Sequence, residues 1–230
     1  MRHLVTAIIA LFFIMNLIGC GGVEIPRKAF VKITADFTLK HCSEEQCIIT
    51  EKASSASGSI VKHGTLLAKT YILTAGHVCD IDYAKTQLGV ENMSVVYSIL
   101  DSNGITFKAT VHSLDAENDL CIMVTQRLGQ TPIVLRSSGP SYGEKFYNIA
   151  APAGIAAKNY VPILEGRYSG FKSYAMIFTI PAVGGSSGSP IFDNQGEMVG
   201  MIMSVNHKFP FVSYSPHYNA IEKIIEGIEK

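Results

Sequence analysis

Tryptophan is absent from the chain, and charge is scarce: 17% of residues are Asp, Glu, Lys or Arg, with 19 basic against 19 acidic. The net charge is zero and no Lys/Arg cluster exists, so the sequence lacks the electrostatic footprint of a nucleic-acid binder. No apolar run reaches the ~20 residues that a membrane-spanning helix needs; the stretch from Leu4 to Ile18 falls short. Repeats and low-complexity segments are missing as well. What is present is 47% hydrophobic content over 230 residues, enough core for one two-lobed unit or two small domains. Twenty Gly and 9 Pro imply many turns.

Met1-Arg2-His3 followed by the apolar run to Ile18 has the layout of a secretory signal. Its end, Leu17-Ile18-Gly19-Cys20, resembles the bacterial lipoprotein cleavage box, in which cleavage exposes a cysteine that becomes lipidated. The resemblance implies lipidation at Cys20, with Gly21 in place of the Asp that favours inner-membrane retention. The expectation is an exported protein of the cell envelope, lipid-anchored to the outer membrane and facing the periplasm, or otherwise secreted. An ordinary signal peptide with an incidental Cys, or an uncleaved anchor, is the alternative. Four cysteines remain, Cys42, Cys47, Cys79 and Cys121, an even number that suits disulfides in an exported chain. Three pairings are open; Cys42–Cys47 is favoured as a hairpin clip. His41-Cys42 with Cys47 lacks the second ligand pair of a zinc site, and no metal or cofactor is expected.

Most of the mature chain reads as short strands between turn signals. Ile105, Phe107, Ala109 and Val111 alternate with Thr106, Lys108, Thr110 and His112, the period of a half-buried strand, and Asp101-Ser102-Asn103-Gly104 supplies the turn before it. Strands are expected at Phe30–Ala35, Gly58–Lys62, Thr65–Ala68, Tyr71–Thr74, Ser94–Leu100 and Leu120–Thr125. The second half adds Lys145–Ala150, Val161–Glu165, Ala175–Ile180, Pro190–Phe192 and Met198–Ser204. Short strands without intervening helices point to antiparallel barrels or sandwiches. Ile221, Ile224, Ile225 and Ile228 fall on one apolar helical face, read as a helix docking on the barrel and not as a membrane or partner helix. The expected division is a signal peptide over 1–19, a linker over 20–29, a first lobe over 30–135, an interlobe linker over 136–142, a second lobe over 143–217 and a C-terminal helix over 218–230.

Three segments carry chemistry. In Gly184-Gly185-Ser186-Ser187-Gly188-Ser189-Pro190, glycines let the backbone bend so that N–H groups converge beside Ser187. A serine hydroxyl needs such donors, and a base to take its proton, before it acts as a nucleophile. In Tyr71-Ile72-Leu73-Thr74-Ala75-Gly76-His77, an apolar run ends in small residues and leaves His77 at a strand-to-turn corner. Asp119 opens the apolar run Leu120-Cys121-Ile122-Met123-Val124, where a partly buried carboxylate needs a partner such as an imidazole N–H. Asp115 is the rival acid.

Together the three resemble the trypsin/chymotrypsin-like serine protease family, including its bacterial high-temperature-requirement and viral members. The order His, Asp, Ser separates that family from subtilisins and α/β-hydrolases. Thr74-Ala75-Gly76-His77 resembles the family's Thr-Ala-Ala-His, Asn118-Asp119-Leu120 its Asp-plus-apolar strand, and Gly185-Ser186-Ser187-Gly188-Ser189-Pro190 its Gly-x-Ser-Gly-Gly-Pro loop. The resemblance implies an all-β fold of two antiparallel six-stranded barrels with a C-terminal helix, and a site in the seam. His77, Asp119 and Ser187 would be catalytic, and the N–H groups of Gly185 and Ser187 would form the oxyanion hole. The implied activity is that of a monomeric serine endopeptidase acting on proteins or peptides. A catalytically silent relative used as a cell-surface binding module, or an esterase, is the alternative.

Departures from the family pattern also inform. Ser186 replaces the Asp that animal members pair with a new N-terminus, implying activity without propeptide cleavage. The sequence ends soon after the expected second lobe, so the peptide-binding (PDZ) domain of the high-temperature-requirement proteases is not expected. Residues flanking the primary pocket in the family correspond to Thr179–Gly184 and Gly200–His207, including Pro181, Ser204 and His207. Neither stretch holds an acid, so a taste for Arg or Lys lacks its counter-charge. Met201 and Met203 suggest apolar or small side chains; His207 would instead favour an acidic or Gln side chain if it faces substrate. Cys79 and Cys121 each follow a catalytic candidate by two residues, so they are either a disulfide between neighbours or two buried thiols.

Overall fold

The computed structural model describes residues 22–42, 47–65 and 69–228. The signal peptide expected over 1–19 and the lipidation site at Cys20 lie outside the described residues. The first lobe is a barrel of six antiparallel strands: β1 (Phe30–Cys42), β2 (Cys47–His63), β3 (Lys69–Ala75), β4 (Asn92–Leu100), β5 (Thr106–Asp115) and β6 (Leu120–Gln126). They run in the order β1-β2-β3-β6-β5-β4, and β4 closes the ring against β1. Alternation drives this closure. Val31, Ile33 and Ala35 point inward to meet Ile60, Ile72, Ile99 and Met123, while Lys32 and Thr34 between them stay partly exposed. Each such aliphatic side chain stabilises the barrel by about 1.5–3 kcal/mol on full burial. The turn between β4 and β5 forms as the sequence suggests: the Asp101 carboxylate accepts the N–H groups of Asn103 (2.9 Å) and Ile105 (2.8 Å).

The first two strands are longer than expected. β1 runs on from Ala35 to Cys42, and β2 begins at Cys47, eleven residues before Gly58, in a stretch exposed on both faces. Cys42 and Cys47 are register partners at the end of this hairpin, and Cys47 is disulfide-bonded. The Cys42 side chain lies outside the described residues. Of the strand expected at Thr65–Ala68, Thr65 sits in a bend and residues 66–68 lie outside the described residues.

Two helices interrupt the first lobe where none was expected: α1 (Gly76–Cys79) and α2 (Ile81–Leu88). The Asp80 carboxylate caps α2 by accepting the Tyr83 N–H, and Gly89, at φ 64°, ends it in the left-handed conformation.

The second lobe comprises β7 (Lys145–Ile149), β8 (Ile163–Lys172), β9 (Ala175–Phe178), β10 (Pro190–Phe192), β11 (Met198–Met201), β12 (Ser204–Val205) and β13 (Ser213–Pro216). It is a seven-stranded antiparallel sheet in the order β11-β10-β7-β8-β9-β13-β12, not the closed six-stranded barrel expected. The difference has a local cause. The strand expected over Met198–Ser204 breaks at Ile202, whose N–H and C=O bind the Ser189 C=O (2.9 Å) and the Gly188 N–H (2.7 Å). Its two halves, β11 and β12, therefore lie at opposite ends of the sheet order, yet chain continuity and the Met203 N–H to Tyr214 C=O bond (2.8 Å) bring those ends together.

α3 (Tyr218–Glu226) follows, with Ile221 buried on it and Ile224 and Ile225 at the margin of the same apolar cluster; Ile228, expected on the helix, lies two residues past its end and is buried in that cluster too. That cluster joins Leu73 and Leu120 of the first lobe to Ile149, Phe192 and Met198 of the second, so one core holds both lobes and the helix together.

Candidate active site

β3 and β6 pair to their ends, with Thr74 opposite Cys121 and Ala75 opposite Leu120. The next residues on each side are Gly76 and Asp119. Asp119 adopts φ 53°, an uncommon conformation for a non-glycine residue. Its carbonyl accepts the Gly76 N–H at 2.8 Å, and its carboxylate oxygen Oδ1 accepts the His77 backbone N–H at 2.6 Å. The same carboxylate lies 2.9 Å (Oδ2) and 3.1 Å (Oδ1) from His77 Nδ1. A carboxylate only accepts, so Nδ1 carries the proton and Nε2 is left as the basic nitrogen of the neutral ring. Asp115, the rival acid, is spent on the turn: its carboxylate accepts both the backbone and side-chain N–H groups of Asn118.

The corner is braced twice. Cys79 and Cys121 form a disulfide, with Cα atoms 6.4 Å apart, tying the His helix to the Asp strand. Tyr97 donates its hydroxyl to the Val78 carbonyl at 3.1 Å, and burial, then the nearby Asp80 charge, push its pKa to about 12.

Ser187 lies in a loop fixed to the first lobe. Its carbonyl accepts the Ser57 N–H at 2.8 Å. Gly188, at φ 85°, packs against Ser57 O and Thr74 Oγ1, each 2.2 Å from where a β-carbon would sit, so only glycine fits there. Ser57 Oγ donates to the Gly185 carbonyl (2.8 Å) and accepts the Ala151 N–H (2.9 Å). Sequence reading missed this serine, one of several in Ala53–Ser59 with nothing local to single it out.

The orientation of the loop's peptides follows from where their carbonyls are held. The Gly184 C=O accepts the Ala153 N–H at 2.7 Å, and the Ser186 C=O accepts the Ser189 N–H at 3.0 Å. In a trans peptide the N–H points opposite to the C=O, so the N–H groups of Gly185 and Ser187 are turned away from these anchors. Among the described residues neither donates a hydrogen bond.

His77, Asp119 and Ser187 line one cleft of about 560 Å³ between the lobes. On the first-lobe side stand Asp80, Tyr83 and Glu117, with the Tyr83 and His77 rings 6.3 Å apart. On the second-lobe side stand Ala182, Val183, Met203, Ser204 and His207, with no acid among them. Pro181 does not line the cleft, and Met201 is fully buried in the core, so of the two methionines only Met203 lines the cleft. Among the described residues the Ser187 hydroxyl has no hydrogen-bond partner, His77 included; catalytic hydrogen bonds are often long before substrate binds.

No curated protein sequence matches the chain. Among solved structures, the crystal structure of the serine endoprotease from Yersinia pestis is similar, with a TM-score of 0.63 at 17% identity; the match covers 87% of this chain and 62% of that one. This likeness marks the fold as chymotrypsin-like. The profile of the trypsin-like peptidase domain matches residues 56–201, which hold His77, Asp119 and Ser187, and the chain belongs to that family.

Proposed function

We propose that the chain is a serine endopeptidase with His77, Asp119 and Ser187 as its catalytic residues. The observation that carries this reading is the double grip of Asp119 on His77, in the cleft that Ser187 shares. Ser187 Oγ attacks the scissile carbonyl while His77 Nε2 takes its proton, and Asp119 stabilises the imidazolium that results. The oxyanion is received by the N–H groups of Gly185 and Ser187. His77 then protonates the leaving amine, and water, activated by the same imidazole, releases the acyl group from Ser187. The apolar wall of Ala182, Val183 and Met203 suits an apolar or small residue on the acyl side of the bond.

The Ser186 side chain is buried and accepts the Val183 N–H. It supports the loop without an ion pair, so the enzyme acts without N-terminal trimming. Export and lipidation at Cys20 belong to the same reading. Hydrolysis of peptides by the full-length mature protein tests it: Ser187→Ala or His77→Ala lowers turnover on the order of 10⁴- to 10⁶-fold. A folded protein that cleaves esters and no peptide would be an esterase. One that cleaves neither would be a binding module, a second reading favoured by the unpartnered Ser187 hydroxyl.

A further inference from the structure

Every polar group of Ser57 is engaged at the seam between the lobes. The residue is fully buried on β2 of the first lobe. Its N–H donates to the Ser187 carbonyl, and its own carbonyl accepts the Thr74 hydroxyl. Its hydroxyl joins two segments of the second lobe, donating to the Gly185 carbonyl at 2.8 Å and accepting the Ala151 N–H at 2.9 Å. One side chain thus ties the nucleophile loop to the turn over residues 151–154.

That turn lies directly on Gly185. A β-carbon at position 185 would sit 2.4 Å from Ala151 O and 3.0 Å from Ala153 N. Ala153 adopts φ 50°, a left-handed conformation uncommon outside glycine, so local preference does not hold the turn in shape. The first lobe holds it at both ends instead: Ser57 at Ala151, and Lys32, whose Nζ donates to the Gly154 carbonyl at 2.8 Å. The N–H between those two grips, that of Ala153, binds the Gly184 carbonyl.

Gly185, at φ 95°, has no side chain to restrict its own peptides. The peptide before it is fixed through Ala153, and the peptide after it directly by Ser57. The direction of the Gly185 N–H is therefore set by contacts from outside its loop.

We propose that Ser57 is a positioning residue for the reaction: through the 151–154 turn and the Gly185 carbonyl it aims the Gly185 N–H at the oxyanion. The inference rests on the peptidase reading above. A donor held in place beforehand acts on the charge that develops in the transition state, not on bound substrate. Loss of Ser57 therefore shows in kcat and not in KM.

Ser57→Ala tests this with a peptide substrate, the matching peptide aldehyde and the matching peptide alcohol. The aldehyde carbon bonds to Ser187 Oγ as the hydroxyl proton passes to His77, and the aldehyde oxygen takes up the negative charge. The alcohol has no carbonyl and forms no such adduct. The expected fall in kcat is about 10- to 100-fold, below the loss from deleting an oxyanion donor outright, with KM nearly unchanged. Aldehyde affinity falls by the same factor as kcat/KM, and alcohol affinity stays. Ser59→Ala is the matched control, since Ser59 is equally buried on the same strand and its hydroxyl meets only Met198 Sδ at 3.8 Å; kcat and aldehyde affinity are kept there. Lys32→Met, at a partly exposed position, gives the Ser57→Ala pattern at smaller size, about 3- to 10-fold. An unchanged kcat in Ser57→Ala, an equal loss for aldehyde and alcohol, or an equal loss in Ser59→Ala overturns the role and leaves the peptidase reading standing. Where Ser57→Ala does not fold, an unchanged kcat in Lys32→Met overturns it alone. A parent protein that cleaves no peptide overturns the peptidase reading and this role with it.

Discussion

Gly76 touches the backbone of Asp119 so closely that a β-carbon at position 76 would lie 2.8 Å from the Asp119 carbonyl carbon and 2.9 Å from its Cα. The contact lets Asp119 reach both the backbone and the ring of His77. Backbone cannot swing aside as a side chain can, so Gly76→Ala pushes Asp119 off His77. The expected outcome is a fall in turnover of at least about tenfold and a stability loss of about 1–3 kcal/mol, the usual cost of overpacking, measured by peptide hydrolysis and urea denaturation.

Gly188 and Gly184 make a matched pair. At Gly188 a β-carbon meets Ser57 and Thr74 at 2.2 Å with φ at 85°, whereas at Gly184 it meets nothing within 4 Å. Gly188→Ala should lower the melting temperature by several degrees or prevent folding, and Gly184→Ala should leave it nearly unchanged. Thermal unfolding of the two variants side by side checks this.

The Cys79–Cys121 disulfide closes a loop spanning 42 positions. The chain-entropy relation gives about 4 kcal/mol for a loop of that size. Replacing both cysteines by serine should therefore lower the urea midpoint clearly. Because the bridge joins the His helix to the Asp strand, turnover should fall under conditions where the variant remains folded.

Tyr97 predicts an alkaline response. Its pKa in the folded chain is about 12 against 10.0 for a free tyrosine. Between those values the unfolded chain releases the proton and the folded chain keeps it, so stability falls as pH rises from 10 towards 12. Tyr97→Phe cannot ionise and should show a shallower decline in denaturation midpoints across that window, while losing the bond to Val78 at lower pH.

The cleft was more legible in the sequence than the architecture around it: His77, Asp119 and Ser187, picked out from three separate motifs, come to line one cleft. The first barrel could be read from period-two alternation at Phe30–Ala35, where one face is buried, and at Ile105–Val111, where Phe107 and Ala109 turn to the core although Ile105 and Val111 stay exposed. The same signal fails for Cys47–Ser54, exposed on both faces, and for Ser213–Pro216, a polar strand whose Ser213 and Ser215 are nonetheless buried. α2 did leave a trace, Asp80 as its cap and Gly89 as its stop, but its eight residues contain no buried side chain and so no apolar face to notice. The break between β11 and β12 is imposed by Gly188 and Ser189, residues from a distant loop, and no local pattern encodes it. Ser57 is legible only once its neighbours in space are known.

The central claim is that Ser187 is an activated nucleophile, with His77 as its base. Covalent labelling by a fluorophosphonate, followed by peptide mapping, measures this directly. The account predicts one adduct, on Ser187, absent in Ser187→Ala and slowed by orders of magnitude in His77→Ala. A correctly folded protein that takes up no label, or takes it up at the same rate without His77, would contradict it.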